Sequence, residues 1–214
     1  LEDGFAVARL RLVDQLRREV KDERVLRAVA AVPREMFVPR SQWHVAYEDR
    51  PLPIGAGQTI SQPLIVAMMT EALGLKGQEK VLEVGTGSGY QAAILAELSR
   101  WVVSVERHEE LEAKARETLE KLGYLNVEVH LAEPMLGWHS GAPYDAIIVS
   151  AGAPKVPQEL LDQLVSGGRM VIPVGSRYEQ SLLKVVRRNG GTAVQDLGPC
   201  RWVPLIGEGA WNED

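Results

Sequence analysis

Three features of the sequence predict an open, doubly wound α/β fold with a mostly parallel seven-stranded sheet. From Lys80 onward, short apolar runs rich in Val, Ile and Leu alternate with amphipathic helical stretches. Apolar strands alternating with helices mean a parallel sheet covered on both faces. The first run ends in a glycine-rich turn that opens a helix, and ligands of such folds lie at the carboxyl ends of the strands near the point where strand order reverses.

The elements follow in chain order. From Leu1 to about Pro39 the chain reads helical, with Phe5, Ala8, Leu12 and Leu16 near one face. Asp22 is placed to cap a second helix bearing Val25, Leu26 and Val29, which Pro33 stops. Residues 40–63 read as an ordered but irregular loop, punctuated by Pro51, Pro53, Gly55, Gly57 and Pro63. A helix from Leu64 to Leu73 closes at Gly74. Strands are expected at 81–84, 101–105, 127–131, 144–149, 170–174, 182–186 and 202–206, with helices at 90–98, 109–122 and 158–164. One domain of 1–214 results, residues 1–63 forming the helices and a substrate-side loop and residues 64–214 the α/β core.

Composition narrows the function. The 214 residues are 45% hydrophobic and 25% charged, as in ordinary globular proteins. Lys and Arg total 24 against 29 Asp and Glu, for a net charge of −5. That balance offers no basic field for a nucleic acid. The sequence has no apolar run of membrane-spanning length, and charges interrupt the N-terminal segment, so neither a membrane partner nor a secretory leader is expected. Cys200 is the single cysteine, which excludes an intrachain disulfide and fits a cytoplasmic protein. His44, His108, His130 and His139 lack metal-ligand spacing, so no metal is expected. A monomer is expected.

The most informative stretch is Val81-Leu82-Glu83-Val84-Gly85-Thr86-Gly87-Ser88-Gly89-Tyr90. Glycines between a strand and a helix permit a tight turn and a close backbone approach to a ligand. The Gly-x-Gly-x-Gly spacing differs from the dinucleotide fingerprint, whose last glycine stands one residue further on. Together with Glu83, the loop resembles the first motif of the S-adenosylmethionine-dependent methyltransferases. Glu106 ends the second core strand, where a carboxylate can accept both ribose hydroxyls. A nicotinamide-dependent enzyme would use the same acid, so the glycine spacing alone separates the two.

Further segments make the resemblance specific. Asp49-Arg50-Pro51-Leu52-Pro53-Ile54-Gly55-Ala56-Gly57-Gln58-Thr59-Ile60-Ser61-Gln62-Pro63 resembles a segment of the protein-L-isoaspartate (D-aspartate) O-methyltransferase family. So do 32–39, 142–149, 151–157, 167–175 and Val203-Pro204-Leu205, in the family's order. The resemblance implies methyl transfer from S-adenosylmethionine, leaving S-adenosylhomocysteine, to the α-carboxylate of L-isoaspartyl residues in damaged proteins and peptides. The ester collapses to a succinimide, whose hydrolysis returns some normal aspartate. It further implies that the last two strands exchange places relative to most methyltransferases.

Site residues follow from the same resemblance. Ser61 would orient the acceptor carboxylate and Thr59 shape its pocket; helix capping is the competing reading of Ser61. Gln58, Thr59, Ile60 and Ser61 would also touch the cofactor, with Glu83, Val84, Gly85, Thr86, Gly87, Ser88, Gly89, Glu106, Arg107, Ala132 and Glu133. Ile54, Ala153, Pro154, Val203, Pro204 and Leu205 would join Thr59 and Ser61 on the substrate side, Val203–Leu205 pairing with an extended peptide. One segment departs from the family. Ala132-Glu133-Pro134 stands where Gly-Asp-Gly is usual, keeping the acid but losing both glycines. Two alternatives stay open: a methyltransferase for another peptide carboxylate, and a cofactor-binding relative with little turnover.

Overall fold

Two helices lead the chain in the computed structural model, which describes residues 2–212. They are α1 (Glu2–Leu16) and α2 (Glu23–Ala31); Leu1 lies outside the described residues. Asp22 caps α2 as expected, its side chain accepting from the Arg24 N–H. Two short 3-10 turns, Arg34–Phe37 and Arg40–Val45, lead to a hairpin of β1 (Leu52–Gly55) and β2 (Gln58–Ile60). The expected irregular loop therefore contains an antiparallel ladder, turned by Gly55-Ala56-Gly57, all at positive φ. Next comes α3 (Pro63–Leu73), which ends at the left-handed Gly74.

The core elements are β3 (Lys80–Val84), α4 (Tyr90–Ala96), β4 (Trp101–Glu106), α5 (Glu109–Lys121), β5 (Val127–Leu131), β6 (Tyr144–Val149), α6 (Gln158–Asp162), β7 (Leu164–Gly175), β8 (Gln180–Arg188) and β9 (Gly191–Cys200). They build one sheet of order β5-β4-β3-β6-β7-β8-β9. Strands β3 to β7 are parallel, and β8 is antiparallel to both β7 and β9. The last two strands thus follow one another in chain order.

Period-two geometry sorts the strand residues between two faces. Val81, Val102, Ala146, Ile148 and Val171 pack with α1 to α5, while Leu82, Val103, Ile147, Met170 and Ile172 pack on the other face with Leu160 and Leu161 of α6. This two-sided burial explains the continuous apolar runs.

One strand differs from expectation. The seventh is β9, and Trp202–Ile206 is an extended segment outside the sheet. Pro204 lacks the N–H that a ladder needs, and the segment makes only isolated bridges, Pro204 to Gly152 and Ile206 to Trp211. β9 is a mostly exposed edge carrying Thr192, Gln195 and Asp196, so it shows no apolar pattern. Its hairpin with β8 turns at Asn189-Gly190, a strong turn signal.

A buried cluster locks α3 to the sheet. Arg169 on β7 donates to the Leu73 and Gly74 carbonyls and to Glu79, while Glu79 accepts from the N–H groups of Lys76, Gly77 and Gln78. Burial raises the Glu79 carboxyl pKa, but Arg169 and these N–H groups outweigh it and hold it below 4.5. Its stabilisation is therefore present above pH 4.5 and lost as pH falls through the lowered value. Glu79→Ala, which strands Arg169 without its partner, should cost about 3 kcal/mol in urea unfolding at pH 7. The gap from the unsubstituted protein should shrink below pH 4.5.

Candidate active site

The chain after β3 turns sharply to enter α4. Gly85 and Thr86 both donate to the Val105 carbonyl, and Gly89 donates to that of Thr86. Gly85, Gly87 and Gly89 have φ of +96°, +55° and +88°, where a side chain strains the backbone. At Gly89 a Cβ would also lie 3.3 Å from Ala115 and Leu119 of α5. Glu106, at the carboxyl end of β4, clamps the loop from the side. Its Oε2 accepts from the Gly87 N–H at 2.8 Å and its Oε1 from the His108 N–H at 3.0 Å.

Beneath the loop runs a buried polar chain. The Ser104 hydroxyl donates to Glu83 Oε2 at 2.5 Å, and Thr86 Oγ1 lies 2.5 Å from Ser104 Oγ. Glu83 is fully buried and its Oε1 has no partner. Burial pushes its carboxyl up to about 8; the Ser104 bond opposes this and the Glu106 charge adds to it.

A cleft of about 1170 Å³ opens above. One wall is Val84 to Ser88 with Glu106 and Arg107. The facing wall is Gln58, Thr59, Ile60, Ser61 and Gln62 from the hairpin. A third is Trp202–Ile206, held where Gly152 donates to the Val203 carbonyl at 2.7 Å and accepts from the Leu205 N–H at 2.8 Å. Ala132 and Glu133 sit on the exposed rim, the Ala132 N–H donating to the Glu106 carbonyl at 2.8 Å. Residues from five separate segments of sequence thus meet in one crevice.

Five predicted site residues do not reach that surface. Glu83 and Gly89 lie under the loop. Ile54 is buried, 3.6 Å from where a Gly87 Cβ would stand. Ala153 pairs with Pro173 and Gly175 instead, so it and Pro154 lie behind the wall. Ser61 does not cap α3: Asp49 takes that part, accepting from the Leu64 N–H and the Gln62 side chain.

Other wall residues escaped the sequence. Tyr90, His108 and Ser150 stand just beyond predicted strand ends or the glycine loop, a positional signal that could have found them. Arg177, Arg201 and Trp202 carry no local signal. Cys200 lines the cleft half-buried, its thiol pushed up to about 11 by burial and by Asp196, which disfavours a nucleophilic thiolate. No cluster of His, Cys, Asp and Glu able to hold a metal occurs among the described residues.

A model of the protein-L-isoaspartate(D-aspartate) O-methyltransferase family matches residues 8–210. The chain belongs to this family. It is 52% identical over 98% of its length to protein-L-isoaspartate O-methyltransferase 1 of Syntrophobacter fumaroxidans, covering 99% of that protein. It is 49% identical to the protein-L-isoaspartate O-methyltransferase of Geobacter metallireducens, with 99% of each chain covered. Among solved structures, a protein-L-isoaspartate O-methyltransferase superposes with a TM-score of 0.85 at 29% identity, over 94% of this chain and 67% of that one. A Plasmodium falciparum structure, described as a putative member of the family in complex with S-adenosyl-L-homocysteine, shares the fold with a TM-score of 0.79 at 24% identity, over 91% of this chain and 96% of that one.

The segment that departs from the family is accommodated here. Ala56 is the one non-glycine residue at positive φ among the described residues. Ala132, Glu133 and Pro134 therefore adopt backbone open to any L-residue.

The buried acid has a measurable signature. A carboxyl raised from 4.5 to about 8 stabilises the fold fully below 4.5 and loses that contribution as pH rises through 8. Glu83→Gln keeps the neutral shape. The unfolding free energy of the unsubstituted protein relative to this variant should fall by about 1 kcal/mol per pH unit from roughly pH 5 to pH 8, read from urea melts. A flat difference would mean that Glu83 is ionised throughout.

Proposed function

We infer that this protein transfers a methyl group from S-adenosylmethionine to the α-carboxylate of L-isoaspartyl residues in proteins and peptides. The observation that carries the reading is the cleft itself, where the glycine loop, the Thr59–Ser61 strand end and the Val203–Leu205 segment face one another. The residues fit the cofactor by their chemistry. Positive-φ glycines let backbone approach an amino-acid moiety, and Glu106 closes the β4 end with an acceptor suited to ribose hydroxyls. Glu133 on the rim is assigned to the adenine amine, and Arg107 to the same end of the cleft.

S-adenosylmethionine, when bound, supplies an electrophilic methyl group on a sulfonium centre. The chain's task is then alignment and exclusion of water. An isoaspartyl carboxylate is already nucleophilic at neutral pH, so a strong general base is not needed. The Ser61 hydroxyl, which makes no hydrogen bond to a described residue, orients the acceptor carboxylate. Thr59 and Ile60 crowd the reacting end and displace water. Glu83 acts from beneath, through Ser104 and Thr86, by holding the loop rather than by touching the cofactor.

Val203–Leu205 offers backbone to an extended peptide, which reads a chain without demanding particular side chains. Among the described residues no helix is long and apolar enough to cross a membrane. The single cysteine supports a cytoplasmic protein, which acts on other proteins.

The deciding assay offers radiolabelled S-adenosylmethionine with matched peptides containing L-isoaspartate or L-aspartate. Base-labile label on the isoaspartyl peptide alone is expected. Label on the aspartyl peptide would redirect the enzyme to another carboxylate, and cofactor binding without transfer would leave a binding protein. In the same assay Ser61→Ala should lower kcat roughly tenfold or more with S-adenosylhomocysteine affinity little changed. Glu106→Gln should instead weaken S-adenosylhomocysteine binding about tenfold in calorimetry, as expected for a lost charge-assisted hydrogen bond.

A further inference from the structure

We propose that Arg34 is a positioning residue that sets the acceptor wall of the cleft by tying together both ends of the hairpin segment. Arg34 is fully buried. Its Nε donates to the Ala46 carbonyl at 2.9 Å and its Nη2 to the Ser61 carbonyl at 2.8 Å. Those two carbonyls bracket residues 47–60, the whole β1–β2 excursion. The Ser61 carbonyl belongs to the residue assigned above to the acceptor carboxylate, and the proposal rests on that assignment.

The chemistry of the position calls for more than filling space. No carboxylate pairs with Arg34 among the described residues; Asp49 and Tyr47 act on it only through their charge, whereas the Tyr90 hydroxyl lies close enough to act on it directly. Burying an unpaired charge is costly, and an apolar side chain would serve a core better. What the guanidinium uniquely offers is a rigid fork that reaches two separate acceptors at once. Its orientation is fixed by stacking: the guanidinium carbon lies 4.7 Å from the Tyr90 ring centroid, and Phe37 packs edge-on to Tyr90 at 5.6 Å. Tyr90 is also a wall residue of the cleft, directly after the glycine loop. Arg34 thereby couples the acceptor wall to the helix that the loop opens. Nη1 and the Tyr90 hydroxyl are buried without a partner at hydrogen-bond geometry, so the well-formed hydrogen bonds of the side chain are those to the two carbonyls.

Asp49 complements this from the hairpin side. It binds the Gln62 side chain and the Leu64 N–H, fixing the start of α3 where the hairpin ends. The hairpin is thus tied at both ends to groups outside it. A lysine at 34 has three donors on a single nitrogen, so it must reach both carbonyls from one point and lacks the planar fork that spans them.

The test compares Arg34→Lys and Arg34→Ala with the unsubstituted protein, all saturated with S-adenosylhomocysteine for hydrogen exchange and assayed with the isoaspartyl peptide for turnover. The expected result for Arg34→Lys is faster exchange confined to residues 47–62, kcat lowered roughly tenfold to a hundredfold, and S-adenosylhomocysteine affinity within about threefold. Guanidinium ion, added to Arg34→Ala well below denaturing concentration, should restore part of the rate. Unchanged exchange and turnover in Arg34→Lys would overturn the proposal. So would faster exchange spread evenly through the sheet without rescue by guanidinium, the pattern of a residue that only fills the core. If the unsubstituted protein itself transfers no methyl group to the peptide, the functional assignment fails, and the exchange pattern still decides the role of Arg34.

Discussion

The reversal of strand order between β3 and β6 is the constraint from which the site follows. From β3 the chain steps outward to β4 and β5, and from β6 it steps the other way to β7. Right-handed crossovers send the helices of the two halves to opposite faces. The carboxyl ends of β3 and β6 are therefore left uncovered beside each other. Every strand that ends there contributes to the cleft: the glycine loop after β3, Glu106 at the end of β4, Ala132 after β5 and Ser150 after β6. Residues with no sequence relation become neighbours because parallel strands stop at the same level.

That geometry puts two acids close together, and the polar groups around them divide the work. Glu83 and Glu106 project from adjacent strands, Glu83 opposite Ser104 and Glu106 two residues beyond. Both ionised in a dry interior would repel. Glu106 receives two backbone N–H groups and opens onto the cleft, whereas Glu83 receives one hydroxyl and has no access to water. Burial, with only the one hydroxyl to oppose it, raises the Glu83 carboxyl to about 8. The acid of the glycine motif therefore works as a mostly protonated strut near neutral pH, although in the sequence it stands beside the ligand-binding glycines and reads as one of their number.

What was legible in the sequence follows from burial. Strands β3, β4 and β6 are covered on both faces, so their runs of Val, Ile and Leu mark them within a residue or so, and the edge strand β5 is marked by its alternating Val127, Val129 and Leu131. The glycine loop and Glu106 are tied to such strands and were legible with them. The β1–β2 hairpin and β9 were not, because neither is covered on both faces and their polar or proline-bearing sequences resemble loops. Trp202–Ile206 misled in the other direction: it is apolar because it lines a cleft, and Pro204 keeps it out of the ladder. The walls at 177 and 199–206 depend on long-range bridges such as Gly152 to Pro204, which leave no local trace. Arg34 lies in a segment, 32–39, that is legible by its resemblance to the family but not by any role, because its partners, the Ala46 and Ser61 carbonyls, are backbone atoms that no residue type announces.

The Ala132-Glu133-Pro134 segment shows how a motif can change while the site it served persists. Two glycines suggest a turn that needs positive φ or a close approach, and their loss would then damage the cofactor end of the cleft. Here the segment sits on the exposed rim and uses ordinary backbone conformations, so neither demand applies. Its position is set by the Ala132 N–H on the Glu106 carbonyl, a contact independent of side-chain identity. Pro134 contributes no N–H, but with φ fixed it also narrows the unfolded ensemble where the native backbone already suits proline. The acid that remains, Glu133, keeps a carboxylate on the rim with one more methylene of reach. The cleft's floor and side, made by Glu106 and the glycine loop, do not pass through this segment, which is why the change can be borne at the edge.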